Sequence, residues 1–212
     1  MTTAKICGLK TAEAVQAALD GKASHLGFMF FDNSPRNIEV RAAELLARPA
    51  RWKADIVAVL VDPDDDTVDR IADTLKPHLF QLHGAETPAR VAQIAARTGR
   101  GVIKVLPVSE AADLDAAAPY EDIADHLMFD AKPPKDAERP GGLGAAFDWT
   151  LLAGRRFKRP YFLAGGLDPW NVADAVRKSG APIVDVSSGV ERGAGVKDPG
   201  LISAFLDAVR RV

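Results

Sequence analysis

Cysteine is almost absent from this chain: Cys7 is the one thiol among 212 residues. A lone cysteine excludes an intramolecular disulfide and suits a reducing compartment, so a cytoplasmic location is expected. An excess of either charge is lacking too. The 27 Lys and Arg residues stand against 29 Asp and Glu, a net charge of −2, which leaves no basic face to attract nucleic acid. Long apolar runs are missing, and none approaches the roughly 18 residues of a membrane-spanning helix. The opening stretch M-T-T-A-K-I-C has no charged segment followed by an apolar one, so no signal peptide is read there. No linker, repeat or low-complexity segment divides the sequence. What is plentiful is apolar content, 47% of the residues, enough to bury a substantial core. A length of 212 could make two small domains, but α/β barrels of this size run as one. A single domain over residues 1–212 is expected.

Short β-branched or aromatic runs alternate with helical patterns. Strands are expected at residues 4–7, 25–30, 55–61, 79–82, 101–105, 126–129, 161–164 and 183–186. These runs are continuously apolar rather than alternating, the pattern of strands covered on both sides. Helices are expected at residues 11–20, 39–48, 67–75, 88–98, 109–117, 149–152, 170–179 and 201–211. In the first of them Ala14, Val15, Ala18 and Leu19 share one stripe. Thr87-Pro88 and Asp168-Pro169 read as helix starts, a capping oxygen followed by proline in the first turn. Alternating strands and helices require a parallel sheet with right-handed crossovers. The simplest closure is a (β/α)8 barrel, at the small end of its size range. An open doubly wound sheet would carry a glycine-rich phosphate loop after its first strand, where only C-G-L-K-T stands. The longest irregular stretch, residues 130–147, has the length of a functional loop.

In such a barrel the active site forms where strands end. Cys7 ends the first strand, and Arg36 lies in D-N-S-P-R-N after the second. Asp62 follows the third, His83 sits in Q-L-H-G after the fourth, and Pro107 follows the fifth. Asp130 ends the sixth in F-D-A-K-P-P, and Gly165 and Gly166 follow the seventh in L-A-G-G-L-D. Asp185, Ser188 and Gly189 belong to V-D-V-S-S-G at the eighth. Each has a plainer alternative. Cys7 could be a small core hydrophobe, Asp130 a loop cap or a partner for Lys132, and Arg36 a surface arginine. His83 and Asp185 could be structural, and the glycines could simply make turns. Asp62 and Lys104 are read as structural, and the W-K near residue 52 and the acidic run 62–66 as solvated surface.

The stretches K-I-C-G-L-K-T, G-F-M-F-F-D-N-S-P-R, V-L-V-D-P, Q-L-H-G-A-E, F-D-A-K-P-P, G-G-L-G-A-A-F-D-W, L-A-G-G-L-D-P-W-N-V and D-V-S-S-G-V-E run in order from Lys5 to Glu191. Together they resemble the N-(5'-phosphoribosyl)anthranilate isomerase family. Two positions depart from the family pattern. Leu143 replaces a hydroxyl residue, and G-V-E-R-G-A-G-V-K-D lacks a proline before its glycine.

The resemblance implies an aldose–ketose isomerase of tryptophan biosynthesis. It would turn N-(5-phosphoribosyl)anthranilate into 1-(2-carboxyphenylamino)-1-deoxyribulose 5-phosphate by an Amadori rearrangement. Opening the furanose needs a proton on the ring oxygen, and forming the enolamine needs removal of the C2 proton, so one acid and one base are the minimum. The resemblance assigns Cys7 as base and Asp130 as acid. Cationic neighbours are then expected to lower the thiol's pKa, and burial or nearby carboxylates to raise that of the acid. Arg36 would hold the anthranilate carboxylate through its guanidinium fork. His83 would hydrogen-bond the substrate or orient a neighbour, and Asp185 would bond ribosyl hydroxyls or position Cys7. Gly165, Gly166, Ser188 and Gly189 would offer N–H groups to the phosphate, with Gly141 and Gly142 helping to cover it. No metal or organic cofactor is implied, because the aryl amine nitrogen can stabilise the cationic imine. The expected partner is a phosphoribosyl small molecule, with monomer and homodimer both open. Alternatives are another phosphosugar-binding barrel isomerase, an aminal isomerase of broadened specificity, or a barrel that only binds.

Overall fold

The computed structural model describes residues 1–132, 144 and 146–212. The expected covering glycines Gly141 and Gly142, and Leu143, lie outside the described residues. Eight parallel strands close into a barrel in chain order. They are β1 (Thr3–Cys7), β2 (His25–Met29), β3 (Asp55–Leu60), β4 (Leu79–Leu82), β5 (Gly101–Val108), β6 (His126–Ala131), β7 (Tyr161–Leu163) and β8 (Ile183–Val186). The closing contact pairs Thr3 with Ile183 and Ile6 with Val186. The (β/α)8 reading is therefore correct.

Side chains alternate across a strand, so each strand feeds two cores. Val57, Val59, Leu79, Ile103, Val105, Met128, Phe162 and Ile183 fill the barrel interior. Ile6, Phe28, Ile56, Phe80, Leu127, Phe129 and Val184 point outward, onto the helices. Both faces are buried, which explains the unbroken apolar runs. Among the described residues six α-helices follow strands: α1 (Ala12–Asp20), α2 (Val40–Ala47), α3 (Asp65–Thr74), α4 (Pro88–Thr98), α5 (Val172–Ser179) and α6 (Pro199–Arg210). As expected, Thr87 caps α4: its Oγ1 accepts from Arg90 N at 3.3 Å, with Pro88 in the first turn.

Several boundaries differ from expectation. Residues 109–117 were expected as an α-helix, but 3-10 helix runs over Ala111–Tyr120 instead. Pro119 has no N–H for the α pattern. At the other end the Asp113 carboxylate accepts from Ser109 N at 2.7 Å and Glu110 N at 3.1 Å, which tightens the turn. The Trp149–Leu152 segment is likewise 3-10. Asp168-Pro169 does not start α5, because Asp168 Oδ1 accepts from both Trp170 N and Asn171 N at 2.8 Å in a turn that delays the helix to Val172. β5 extends to Val108, so Pro107 lies inside the strand, opposite Asp130, rather than after it. The acidic run is not merely solvated: Asp64 Oδ1 caps α3 through Thr67 N at 2.9 Å, and Asp65 pairs with Arg90 and Arg97. After β8 a small antiparallel hairpin forms from β9 (Glu191–Gly193) and β10 (Val196–Lys197), which the sequence did not suggest.

Candidate active site

The rim at the C-terminal ends of the strands collects polar side chains that are buried. On β1, period-two geometry turns Lys5 and Cys7 to the same, inner side. Lys5 is fully buried and Cys7 is 4% exposed. Gly27 is the β2 partner of Cys7, and a Cβ there would lie 3.1 Å from both Cys7 Sγ and Lys5 Nζ. The absent side chain leaves room for the lysine and the thiol. Asp185 is the β8 partner of Lys5, and Lys5 Nζ donates to its Oδ1 at 2.7 Å. Burial alone would lower the lysine's pKa, but Asp185 and Cys7 outweigh it and hold the ammonium above its ordinary value.

The expectation of an acidified thiol is corrected. Burial pushes Cys7 above the ordinary thiol value, and the Asp185 charge adds to that. Lys5 and Lys197 pull the other way without prevailing. The cations are there, but the desolvated sulfur is dominated by its lack of water.

Arg36 is a buried arginine, 4% exposed, rather than a surface one. Its Nε donates to Glu191 Oε1 at 2.7 Å and its Nη2 to Oε2 at 2.9 Å, a fork-on-carboxylate pair. The hairpin after β8 makes this possible by delivering both Glu191 and Lys197. Lys197 Nζ donates to Glu191 Oε1 at 2.6 Å and to Ser187 O at 2.9 Å. Burial would raise the Glu191 pKa, yet Arg36 and Lys197 hold it below the ordinary carboxylate value. Gly195 packs the hairpin tip on the loop that carries Arg36, since a Cβ there would meet Pro35 O at 2.3 Å. Arg36 in turn lies against the backbone beside Cys7: a Cβ on Gly8 would meet its Cδ at 2.7 Å.

On the far side, with β7 and β8 between it and β1, Asp130 is buried on β6. Its Oδ1 accepts from Ala131 N at 2.8 Å, and His83 Nε2 lies 3.3 Å from Oδ2. Gln81 Nε2 is 3.3 Å from His83 Nδ1. With that amide donating, the imidazole proton sits on Nε2 and faces Asp130. Of the two roles expected for His83, orienting a neighbour fits this geometry. A cavity of about 520 Å³ opens beside the pair, lined by Val105, Leu106, Pro107, Tyr120 and Ala85. Its floor is fixed by a buried pair, Lys104 Nζ to Glu86 Oε2 at 2.6 Å. Glu86 Oε1 accepts from Asp62 N at 2.9 Å, and Asp62 Oδ1 accepts from Ala85 N at 2.8 Å. These contacts agree with the structural reading of Asp62 and Lys104.

The glycine loops close the rim between the two sides. Gly165 and Gly166 have φ of 88° and 64°, a left-handed succession that glycine adopts without strain. A Cβ on Gly165 would sit 2.7 Å from Ala131 N and 3.0 Å from Asp130 Oδ1, so this loop abuts the β6 carboxyl. Gly189, in the middle of the short 3-10 turn Ser188–Val190, packs against Leu167 O, with no space for a Cβ at 1.9 Å. Among the described residues, the amide N–H groups of Gly165, Gly166, Ser188 and Gly189 have no hydrogen-bond partner.

Sequence reasoning named Cys7, Arg36, His83, Asp130 and Asp185 but missed Lys5, Lys197 and Glu191. Lys5 was legible, two residues before Cys7 and so on its face. The other two depend on a hairpin too short to read.

A thiol, a carboxyl and two glycine loops at the C-terminal rim of a closed parallel barrel define a (β/α)8-barrel enzyme. The profile of the N-(5'phosphoribosyl)anthranilate (PRA) isomerase family matches residues 4–208. An N-(5'-phosphoribosyl)anthranilate isomerase of Caulobacter vibrioides is 62% identical over 98% of this chain and 95% of its own. A crystal structure of phosphoribosyl anthranilate isomerase in complex with reduced 1-(o-carboxyphenylamino)-1-deoxyribulose 5-phosphate superposes with a TM-score of 0.86 at 29% identity, covering 100% of both chains. A structure of monomers of the dimeric Thermotoga maritima enzyme gives 0.85 at 29% identity, again over 100% of both. The chain belongs to the N-(5'-phosphoribosyl)anthranilate isomerase family, the isomerases of tryptophan biosynthesis.

Proposed function

We propose that this isomerase rearranges N-(5-phosphoribosyl)anthranilate with Cys7 as general base and Asp130 as general acid. Asp130 gives a proton to the furanose oxygen as the C1–O bond breaks, and the aryl amine lone pair forms the iminium. The Cys7 thiolate then removes the C2 proton, giving an enolamine that tautomerises to the aminoketone, 1-(2-carboxyphenylamino)-1-deoxyribulose 5-phosphate. The observation that carries this reading is the pair of buried groups, Cys7 and Asp130, facing one mouth from β1 and β6. Fluorescence decay of freshly made phosphoribosylanthranilate with purified protein tests it, and absence of turnover would refute it. The proposal carries with it one domain over residues 1–212. It describes a cytoplasmic enzyme without nucleic-acid or membrane partners, monomeric or, like the Thermotoga maritima relative, dimeric. No helix among the described residues is long and apolar enough to cross a membrane.

The substrate phosphate would lie between Gly165 and Gly166 on one side and Ser188 and Gly189 on the other, where amide N–H groups lack partners among the described residues. Crystals soaked with a product analogue are expected to show it there. A phosphate at the N-terminal end of the barrel would refute this assignment.

Arg36 would bind the anthranilate carboxylate, with Glu191 fixing the guanidinium beside Cys7. Arg36→Ala is expected to cost about 1.5–3 kcal/mol in kcat/KM, chiefly through KM, the range for a hydrogen bond to a charged group. Unchanged kinetics would reduce Arg36 to the Glu191 pair.

A further inference from the structure

Lys5 is the most fully enclosed charge at the rim, with no exposed surface. Stability does not account for it: a buried ion pair roughly breaks even against apolar residues of similar volume. A methionine at position 5 with an asparagine at 185 would fill the same space. What an ion pair supplies here is a charge beside the sulfur. Lys5 Nζ and Cys7 Sγ converge on the gap left by Gly27, each 3.1 Å from where its Cβ would stand. The Asp185 carboxylate holds the ammonium from the other side at 2.7 Å.

We propose that Lys5 is the positioning residue of the base: its ammonium, anchored by Asp185, is the counter-charge that lets the Cys7 thiolate exist in a closed site. The proposal rests on Cys7 being the base. With the thiol neutral, Lys5 and Asp185 form a balanced pair. When the thiol ionises, the ammonium serves two anions, and proton uptake from substrate C2 returns it to Asp185 alone. The charged groups acting on the sulfur are Lys5 on its own strand, Asp185 on β8 and Lys197 on β10, whereas β2 faces it with Gly27. Their signs oppose: the two lysines favour the thiolate, and Asp185 disfavours it.

Cys7 is the only cysteine, so ultraviolet thiolate absorbance, taken as the difference from Cys7→Ala to remove the overlapping tyrosinate signal of Tyr120 and Tyr161, reads its ionisation. That titration and the pH profile of kcat/KM are measured together on wild type, Lys5→Met, Lys5→Arg, Asp185→Asn and Lys5→Met/Asp185→Asn. Lys5→Met is expected to move both upward by at least about one pH unit, a tenfold loss of thiolate at fixed pH. Lys5→Arg should recover part of that shift. Asp185→Asn should move the titration downward, and the double variant should show an upward shift smaller than that of Lys5→Met. If Lys5→Met does not fold, the double variant, which leaves no unpaired charge between these two positions, decides the matter. An unmoved thiol titration in the folded variants, even with activity lost, overturns the proposal and leaves Lys5 structural. Full turnover by Cys7→Ala would instead overturn the base assignment itself, so the two failures are distinguishable.

Discussion

Cys7→Ala is expected to remain folded and to lose turnover by roughly 10²–10⁴, the contribution typical of a positioned general base. Alanine fits the small interior site between β8 and β2, and it leaves the Lys5–Asp185 pair intact. Cys7→Ser should do little better, because a hydroxyl ionises far less readily than a thiol. In wild type, kcat/KM should rise with pH through ionisation of Cys7. That rise should fall above the ordinary thiol range, because burial outweighs Lys5 and Lys197. The same shift acts on stability. A group that holds its proton more tightly when folded contributes fully below the unfolded thiol value. That contribution is lost as pH rises through the folded value. Wild type should therefore lose stability on the alkaline side more steeply than Cys7→Ala, measured by denaturant unfolding at a series of pH values. Near-normal turnover by Cys7→Ala would restore the inert-thiol reading.

How far the sequence could carry these conclusions depended on the range of each interaction. Strands buried on both faces leave a local signature, so all eight could be placed from apolar runs alone. The helix at residues 109–117 misled because its alanine content resembles a helix, while Pro119 and the folded-back Asp113 carboxylate dictate a tighter turn. Cys7 and Asp130 were legible because strand ends are where a barrel does chemistry. Arg36 was ambiguous because its partner Glu191 lies 155 residues away, on a hairpin whose strands are three and two residues long. The direction of the Cys7 shift was not legible at all. It turns on how much water the closed mouth excludes, and sequence spacing carries no measure of that.

Asp130→Asn is expected to lower kcat as severely as removal of the base, by roughly 10²–10⁴, with KM little changed. The amide keeps the shape of the carboxyl but has no acidic proton for the ring oxygen. Its carbonyl can still accept from Ala131 N, the contact that fixes Oδ1 at 2.8 Å. The other end is different: an amide N–H₂ would face His83 Nε2, 3.3 Å from the present Oδ2. Two donors opposed there would force the imidazole to move its proton to Nδ1, where Gln81 Nε2 now lies at 3.3 Å. The Gln81 amide can answer by turning over, since its buried Oε1 has no partner among the described residues. The substitution is therefore accommodated locally, and the loss should belong to the missing proton rather than to a collapsed site. His83→Asn separates the two contributions: it removes the orienting contact but leaves the acid, so it should cost less than Asp130→Asn. A larger loss in His83→Asn than in Asp130→Asn would mean that His83, not Asp130, delivers the proton. Retained turnover in Asp130→Asn would remove the acid from β6 altogether.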